Sequence, residues 1–289
     1  MKGRIDITRP AILAACACVL LLGAAGCAAT TAGEPAETAL VLITADGPLT
    51  TRPAPARPPL DLAAGELIMN SAIVPETDLQ GVLHERLLFA EPVTSRRYSI
   101  IRWPARVTLG RHYHAATERV YMLEGSIASP ADGEIAPGTF WEAPAGVAMG
   151  PFTSERGGTF IFLGEGPFQT VLLEDGDLPP DPDGRTIVVD PEAVPWQPLA
   201  DVVPGATAVG AIRIVRPGTS KDRAVHLVRF DRAPAGGYAS SSANIEGYVL
   251  RGELELSDPY HGTHVLGVGQ FFRIPAGFPT NLFGSGSGT

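Results

Sequence analysis

The chain has 289 residues, which leaves room for two domains of common size, and 45% of them are hydrophobic, which allows each domain a packed core. Its formal net charge of -9 at pH 7 makes nucleic acid and anionic lipid surfaces poor partners, because both are also negatively charged. We therefore expect no nucleic-acid partner.

The first 26 residues have the pattern of an export signal. Three basic residues precede an uncharged apolar run at 11–26, which is too short to span a membrane comfortably. The end of that run, residues 22–27, resembles the lipobox of bacterial lipoproteins, in which cleavage leaves a lipid-modified cysteine as the first mature residue. The resemblance implies a signal peptide at 1–26 and an exported, periplasmic protein of the bacterial cell envelope, anchored to a membrane through lipidated Cys27.

Cysteine usage supports lipidation at Cys27. Cys16 and Cys18 lie in the signal and leave with it, so the mature chain keeps Cys27 alone. An exported protein with one unpaired cysteine needs an explanation such as lipidation. Plain secretion with a free thiol and an uncleaved anchor are the alternatives. Removal of the signal changes the net charge from -9 to -11, so membrane attachment would depend on the acyl chains.

Residues 27–64 are rich in Ala, Thr and Pro. Dense proline stiffens a segment and removes the donors of ladder hydrogen bonds, so this range predicts an extended tether. A short apolar stretch within it, at 38–44, is a candidate strand that joins the first domain.

The remaining sequence consists of short β-branched and aromatic runs separated by Gly and Pro, which is typical of an all-β protein. A stretch rich in Pro, Asp and Gly predicts a linker at 175–195. The sequence therefore divides into an all-β domain at 65–174 and another at 196–289.

Residues able to bind a metal gather at the centre of the first domain. His112 and His114 are two apart, so on an extended strand both imidazoles point to one face. Glu118 follows four residues later and can approach the same cavity from the start of the next strand. Two neutral imidazoles and a carboxylate suit a divalent first-row metal and leave positions open for substrate or oxygen. The alternative is that the histidines are ordinary strand residues and Glu118 faces water.

This pattern, together with Gly125, resembles the first motif of the cupin family, which lies on adjacent strands of a small jelly-roll barrel. Gly138, Pro144 and Gly146 fit the Gly-x5-Pro-x-Gly opening of the second cupin motif. Where that motif usually supplies a further His ligand, this chain has Met149. The resemblance implies a cupin barrel at 65–174 that binds one divalent metal through the two histidines and the glutamate.

The metal itself is not specified by these residues, and Fe, Mn, Ni, Cu and Zn all remain candidates. A thioether is a soft ligand that suits Cu(I) better than Mn, Fe or Zn. Met149 therefore either selects an unusual metal or lines the pocket, and we favour the lining role.

The second half of the chain repeats the first. Residues 102–125 align without a gap with 229–252, and a four-residue insertion then brings 138–152 over 269–283. The matches are mostly turn glycines, prolines and strand apolars, which determine the fold. We therefore predict two tandem cupin jelly-roll barrels, the second at 196–289.

The metal ligands do not repeat. Opposite His112, His114, Glu118 and Met149 stand Ala239, Ser241, Ile245 and Thr280. Glu246 is one place off the ligand register and is expected to face the other way. The second barrel is thus predicted to hold no metal and to act as a scaffold, an interface or a small-ligand pocket.

The other polar candidates receive structural interpretations. Tyr121 could act as an acid or base, but Tyr248 occupies the same place in the barrel without ligands, so packing explains both. His261 and His264 fall in a predicted surface hairpin, and the isolated His84 and His226 are interpreted as structural.

The second barrel has no sequence after Phe283 to match the apolar run at 159–163 that follows Phe152. Either the sequence is short, or the barrel has an open edge that a neighbouring segment or subunit covers. A homodimer is one arrangement that would cover it.

Three functions fit these expectations. A bound metal could support a dioxygenase reaction on a small molecule, or act as a Lewis acid for an isomerase or lyase. The protein could instead be a non-catalytic lipoprotein that binds a small ligand or a metal, or a structural component of the envelope. Cupins include enzymes, storage proteins and sensors, so the fold alone does not distinguish these functions.

Overall fold

A computed structural model describes residues 39–45, 51–53, 67–79, 81–167, 169–203, 210–218, 223–231 and 238–284. The expected signal peptide and Cys27 lie outside these residues. Within the described ranges, no helix has both the length and the apolar character needed to cross a membrane. Residues 36–289 form one compact unit.

Short strands dominate this unit. In chain order they are β1 Ala39–Ala45, β2 Thr51–Pro53, β3 Leu67–Asn70, β4 Thr77–Leu79, β5 Leu83–Ala90, β6 Arg97–Trp103, β7 Val107–Leu109, β8 His112–His114, β9 Glu118–Gly125, β10 Ile127–Ser129, β11 Gly133–Ile135, β12 Phe140–Ala143, β13 Phe152–Ser154, β14 Gly158–Gly164, β15 Thr170–Leu172, β16 Ile187–Val189, β17 Gln197–Pro198, β18 Gly210–Arg216, β19 Ala224–Phe230, β20 Ala239–Ser241, β21 Ile245–Arg251, β22 Leu254–Asp258, β23 Gly262–Leu266, β24 Gln270–Ile274 and β25 Pro279–Gly284. The helices are short: 3-10 turns at Ser71–Ile73 and Pro191–Ala193, and α1 at Leu199–Val202. The predicted all-β class is confirmed.

The first barrel combines a seven-stranded sheet with two smaller ones. The large sheet has the order β16-β12-β9-β14-β6-β5-β4, the second β11-β10-β13-β7, and β15 pairs with β8. All of these pairings are antiparallel. The result is the predicted jelly-roll barrel, closed around an apolar interior.

The second barrel has the same plan, but three of its strands come from the N-terminal side of the first. Its large sheet has the order β17-β18-β19-β1-β21-β24-β3, and its small sheet β2-β20-β25-β22-β23. β1 lies between β19 and β21 just as β14 lies between β6 and β9. β1 is therefore the strand that the second half lacks, and it covers the edge whose exposure favoured a homodimer.

These pairings correct the predicted boundaries. The stretch at 38–44, a candidate strand of the first domain within the tether, forms β1 of the second barrel instead. The strand at 51–53, assigned to the tether, and the strand at 67–70, assigned to the first barrel, also belong to the second barrel. The strand at 187–189, assigned to the linker, belongs to the first. The physical reason is burial. All but one of the residues of β1 are buried, and a continuous apolar run buried on both faces is typical of a central strand rather than a tether.

Three apolar clusters organise the unit. One fills the interior of the first barrel, one the interior of the second, and one lies between the two large sheets. Alternation along β9 directs Val120 and Met122 into the first barrel and Tyr121 into the layer between the sheets. Tyr248 lies in the same layer, so the prediction that both tyrosines serve packing is confirmed.

Charged side chains also occupy the layer between the barrels. They are Arg119, Glu142, Glu165, Arg216, Arg223 and Glu246. Glu246 pairs with Arg223 and accepts a hydrogen bond from Thr44 at 3.2 Å. It therefore faces away from the interior of the second barrel, as its register predicted.

Candidate metal centre

Strand β8 places both predicted histidines in the interior of the first barrel. His112 and His114 are 2% and 4% exposed, and the residue between them faces the other way, as alternation requires. Their ring centroids are 5.1 Å apart. Glu118, at the start of β9, lines the same cavity. The structure thus places the three predicted ligands in the wall of one cavity.

Each imidazole is oriented by a backbone carbonyl. Nδ1 of His112 lies 2.7 Å from the carbonyl oxygen of Gly110, and Nδ1 of His114 lies 3.1 Å from that of Gln169. A carbonyl oxygen only accepts, so each Nδ1 carries a hydrogen and each Nε2 is the nitrogen through which the imidazole can bind a metal. Carbonyls that fix the tautomer in this way are typical outer contacts of metal-binding histidines.

The carboxylate of Glu118 completes the set of donors. Its Oε2 lies 2.8 Å from Nε2 of His114. This distance fits a protonated imidazole that donates to the carboxylate, and it also fits two ligands that share one metal ion. Adjacent ligands of an octahedral ion with bond lengths of about 2.1 Å are about 3.0 Å apart, so the pair fits two ligands of one ion.

Burial and charge act differently on the two histidines. Burial lowers the pKa of His112, which keeps this imidazole neutral and able to bind a metal. Burial also tends to lower the pKa of His114, but the adjacent Glu118 carboxylate outweighs it, and the net pKa is raised. A metal ion at this site would therefore compete with a proton held between His114 and Glu118.

The three side chains have not converged on a single point. Among the described residues, no group of three or more His, Cys, Asp or Glu side chains is arranged closely enough to hold a metal ion. His114 and Glu118 touch, whereas His112 stands beside them. The donors and their outer hydrogen bonds fit a divalent metal in chemical type and orientation.

The comparisons with known proteins concern the same region. Residues 65–169, which include the two histidines and Glu118, match the family described as ChrR Cupin-like domain. This part of the chain is a cupin-like domain. No curated protein matches its sequence at a significant level.

Solved structures share the fold of this cupin along most of its length. A protein from Nostoc punctiforme, provisionally assigned as a dioxygenase, is 16% identical with a TM-score of 0.64, over 82% of this chain and 85% of that one. Protein Ylba from E. coli is 11% identical with a TM-score of 0.53, over 76% of this chain and 86% of that one. At these identities the likeness shows the fold.

Met149 stands directly opposite His112 in the cupin barrel. The backbone N–H of Met149 donates to His112 O at 2.8 Å, and the N–H of His112 donates to Met149 O at 3.1 Å. The Met149 side chain is buried in the apolar cluster of the barrel and is not among the residues that line the cavity. The position that usually carries the fourth cupin ligand therefore serves packing.

The cavity around the donors is small and mostly apolar. Besides the three donors and Thr170, its walls are formed by Leu79, Leu83, Ile101, Trp103, Leu109, Val120, Ile127, Trp141, Phe152, Phe160 and Phe162. The space available to the centres of water molecules is about 30 Å³, which suits a metal ion with a ligand of a few atoms. Sequence reasoning missed Trp141 and Thr170, although alternation along β12 could have directed Trp141 inward.

The remaining histidines lie apart from this cavity. His84 is 3.1 Å from Asp78 near the surface, and His261 is half-exposed beside Asp258 in the hairpin between β22 and β23. His226 is 5% exposed and pairs with Ile43 and Ile214 inside the second barrel. The structural interpretation of these three residues is thus consistent with where they lie.

Proposed function

We propose that this cupin binds one divalent metal ion in its first barrel through His112, His114 and Glu118. The observation that carries the proposal is that Oε2 of Glu118 and Nε2 of His114 lie 2.8 Å apart beside the buried His112, while both imidazoles are held by carbonyls at Nδ1. When bound, the ion would supply a Lewis-acid centre with positions open to a small molecule.

The chain's own side chains limit the chemistry around such a centre. His112 and His114 would bind the ion as neutral imidazoles, Glu118 would offset part of its charge, and the aromatic walls would exclude bulk water. Apart from the donors, the polar groups among the described residues that line the cavity are the Thr170 hydroxyl and the indole nitrogens of its tryptophans. None of these is an effective general base at neutral pH, so we favour an oxygen-dependent, dioxygenase-type reaction over isomerase or lyase chemistry.

A non-catalytic binding protein is the second candidate. The small free space, about 30 Å³, favours a metal ion or a ligand of a few atoms over a bulky substrate. Oxygen uptake distinguishes the two candidates. A metal-loaded wild type that consumes oxygen when small oxygen-bearing compounds are added, beside a Glu118→Gln variant that does not, would support the enzyme.

A titration tests the metal site directly. Metal-stripped wild type, Glu118→Gln and the surface control His84→Ala are titrated with Mn²⁺, Fe²⁺, Ni²⁺, Cu²⁺ and Zn²⁺ in a calorimeter. We expect a single site in the wild type and in the control, and a loss of affinity of about 10- to 100-fold or more in Glu118→Gln. Equal affinities in all three proteins would contradict the proposal.

We also propose that the protein is exported and anchored in the cell envelope through lipidated Cys27. The support is the signal-like sequence at 1–26 and the single cysteine that would remain after cleavage. Fractionation of cells that express the wild type or Cys27→Ser tests this. The wild type should sediment with membranes and the variant should not; the same distribution of both proteins would contradict the anchor.

A further inference from the structure

We propose that the indole N–H of Trp141 donates a hydrogen bond to the ligand bound at the metal centre, and that this ligand is a small anion or an oxygen-bearing molecule. The inference rests on the proposed metal site and names the class of ligand that this site takes.

The first observation is an unsatisfied donor in the wall of the cavity. Trp141 is 1% exposed and lines the cavity, and its buried Nε1 has no acceptor among the described residues. Trp103 lines the same cavity, but its Nε1 donates to Val107 O at 3.2 Å. Buried N–H groups are nearly always hydrogen-bonded, because an unpaired one loses its hydration without compensation. The Trp141 indole is therefore suited to an acceptor that enters the cavity.

Strand register places this donor near the metal ligands. Glu118 is directly opposite Ala143, and Trp141 is opposite Val120. Trp141 and Glu118 are thus diagonal neighbours on the interior face of β9 and β12, at about 7–8 Å, within reach of large side chains. Ala143, between them on this face, contributes only a methyl group. The Phe152 ring, 5.5 Å from Trp141 and 6.2 Å from His112, forms the adjoining wall.

In the second barrel, the position equivalent to Trp141 has neither an indole nor metal donors beside it. Phe272 takes the position of Trp141, opposite Gly247, and Ile274 takes that of Ala143, opposite Ile245. Phe272 and Ile274 are both fully buried in the apolar cluster of that barrel. The barrel that lacks the metal donors also lacks the indole N–H and fills the adjacent space. Trp141 and Ala143 therefore occur in the barrel that has the metal donors, and the barrel fold by itself does not require them.

The chemistry of the cavity defines the ligand. A lone N–H donor recognises an acceptor oxygen or an anion, and a metal ion beside it favours negative charge. The apolar walls and the free space of about 30 Å³ restrict the ligand to a few non-hydrogen atoms. Azide is a suitable probe, since it is a small linear anion that binds metals and accepts hydrogen bonds.

The test uses the Co²⁺-loaded full chain, whose visible absorption reports the metal and responds to azide. Wild type, Trp141→Phe and the control Trp196→Phe, which lies outside the cavity in the layer between the barrels, are titrated with azide. One hydrogen bond to a charged acceptor corresponds to about a tenfold change in affinity. We expect that loss in Trp141→Phe and unchanged azide affinity in Trp196→Phe.

A second measurement needs no variant. The chain has three tryptophans, so in a ¹⁵N-labelled protein loaded with diamagnetic Zn²⁺ the Trp141 indole resonance should move most on addition of azide. Wild-type affinity in Trp141→Phe, or a Trp141 resonance that does not move when azide binds, would overturn the inference and leave the metal site intact. The absence of cobalt absorption bands in the wild type would instead overturn the metal site and this inference with it.

Discussion

Arg119 and Glu246 occupy equivalent positions in the two barrels, carry opposite charges and are both buried in the layer between them. Arg119 is opposite Glu142 and donates to it at 2.6 Å, whereas Glu246 is opposite Arg273. The first barrel thus has the base on β9 and the acid on β12, whereas the second has the acid on β21 and the base on β24. Two identical barrels would bring like charges together in this layer, so the reversal favours the pairing of unlike barrels.

Loss of one buried charge in this layer should be costly. Glu246 is 5% exposed and pairs with Arg223, which is 2% exposed. Glu246→Gln keeps the shape but removes the charge, and we expect it to lower the free energy of unfolding by about 3 kcal/mol, since breaking a buried ion pair leaves an uncompensated charge. Urea unfolding measures this. The control is Glu76→Gln, in the exposed pair with Arg102, with an expected loss below about 1 kcal/mol; equal losses would contradict burial of the network.

The position of β1 gives a second prediction. Leu42 is fully buried and lies opposite Leu227 and Tyr248. Leu42→Ala should lower the free energy of unfolding by about 2–5 kcal/mol, because it leaves a cavity at the centre of a sheet. The same substitution at Leu178, which is 80% exposed, should change it by less than about 0.5 kcal/mol. A neutral Leu42→Ala in denaturant unfolding would mean that β1 does not complete the second barrel.

His226 makes the second barrel sensitive to acid. Burial lowers the pKa of His226 from 6.5 to about 4, and neither ring nitrogen has a partner among the described residues. The unfolded chain binds this proton more readily, so stability should fall as the pH drops from about 6.5 to about 4, by about 3 kcal/mol at most. His226→Leu should lose this dependence in unfolding measured across that range, while the surface control His84→Leu keeps it. The same pH dependence of stability in His226→Leu and in the wild type would contradict the role of His226.

Much of the fold could be predicted from local patterns. Short alternating runs and turn glycines predicted the all-β class, and the repeat predicted a second barrel. The same repeat predicted that the second barrel needs a counterpart of the strand at 158–164. It could not show that β1 supplies it, because strand pairing depends on contacts far apart in the sequence. The apolar stretch at 38–44 was correctly a candidate strand, but its nearness in sequence to the first domain suggested the wrong barrel.

The sequence was sufficient to predict the three donors of the site, but not the residues that surround them. Spacing placed His112, His114 and Glu118 in one cavity, and the register argument for Glu246 gave its direction. Spacing does not indicate which carbonyls hold the imidazoles, since the acceptor for His114 comes from Gln169, far along the chain. Nor does it show which polar atoms lack a partner, because that depends on the complete packing around Trp141.

The central claim is that the first barrel holds one divalent metal ion. Its most direct test is elemental analysis of the purified full chain after expression with Fe, Mn, Ni, Cu and Zn available, with wild type, His112→Ala and His84→Ala compared. We expect about one metal ion per chain in the wild type and in His84→Ala. We expect a large loss of bound metal in His112→Ala, because this variant lacks one of the three ligands. No metal in the wild type, or equal metal in all three proteins, would contradict the claim.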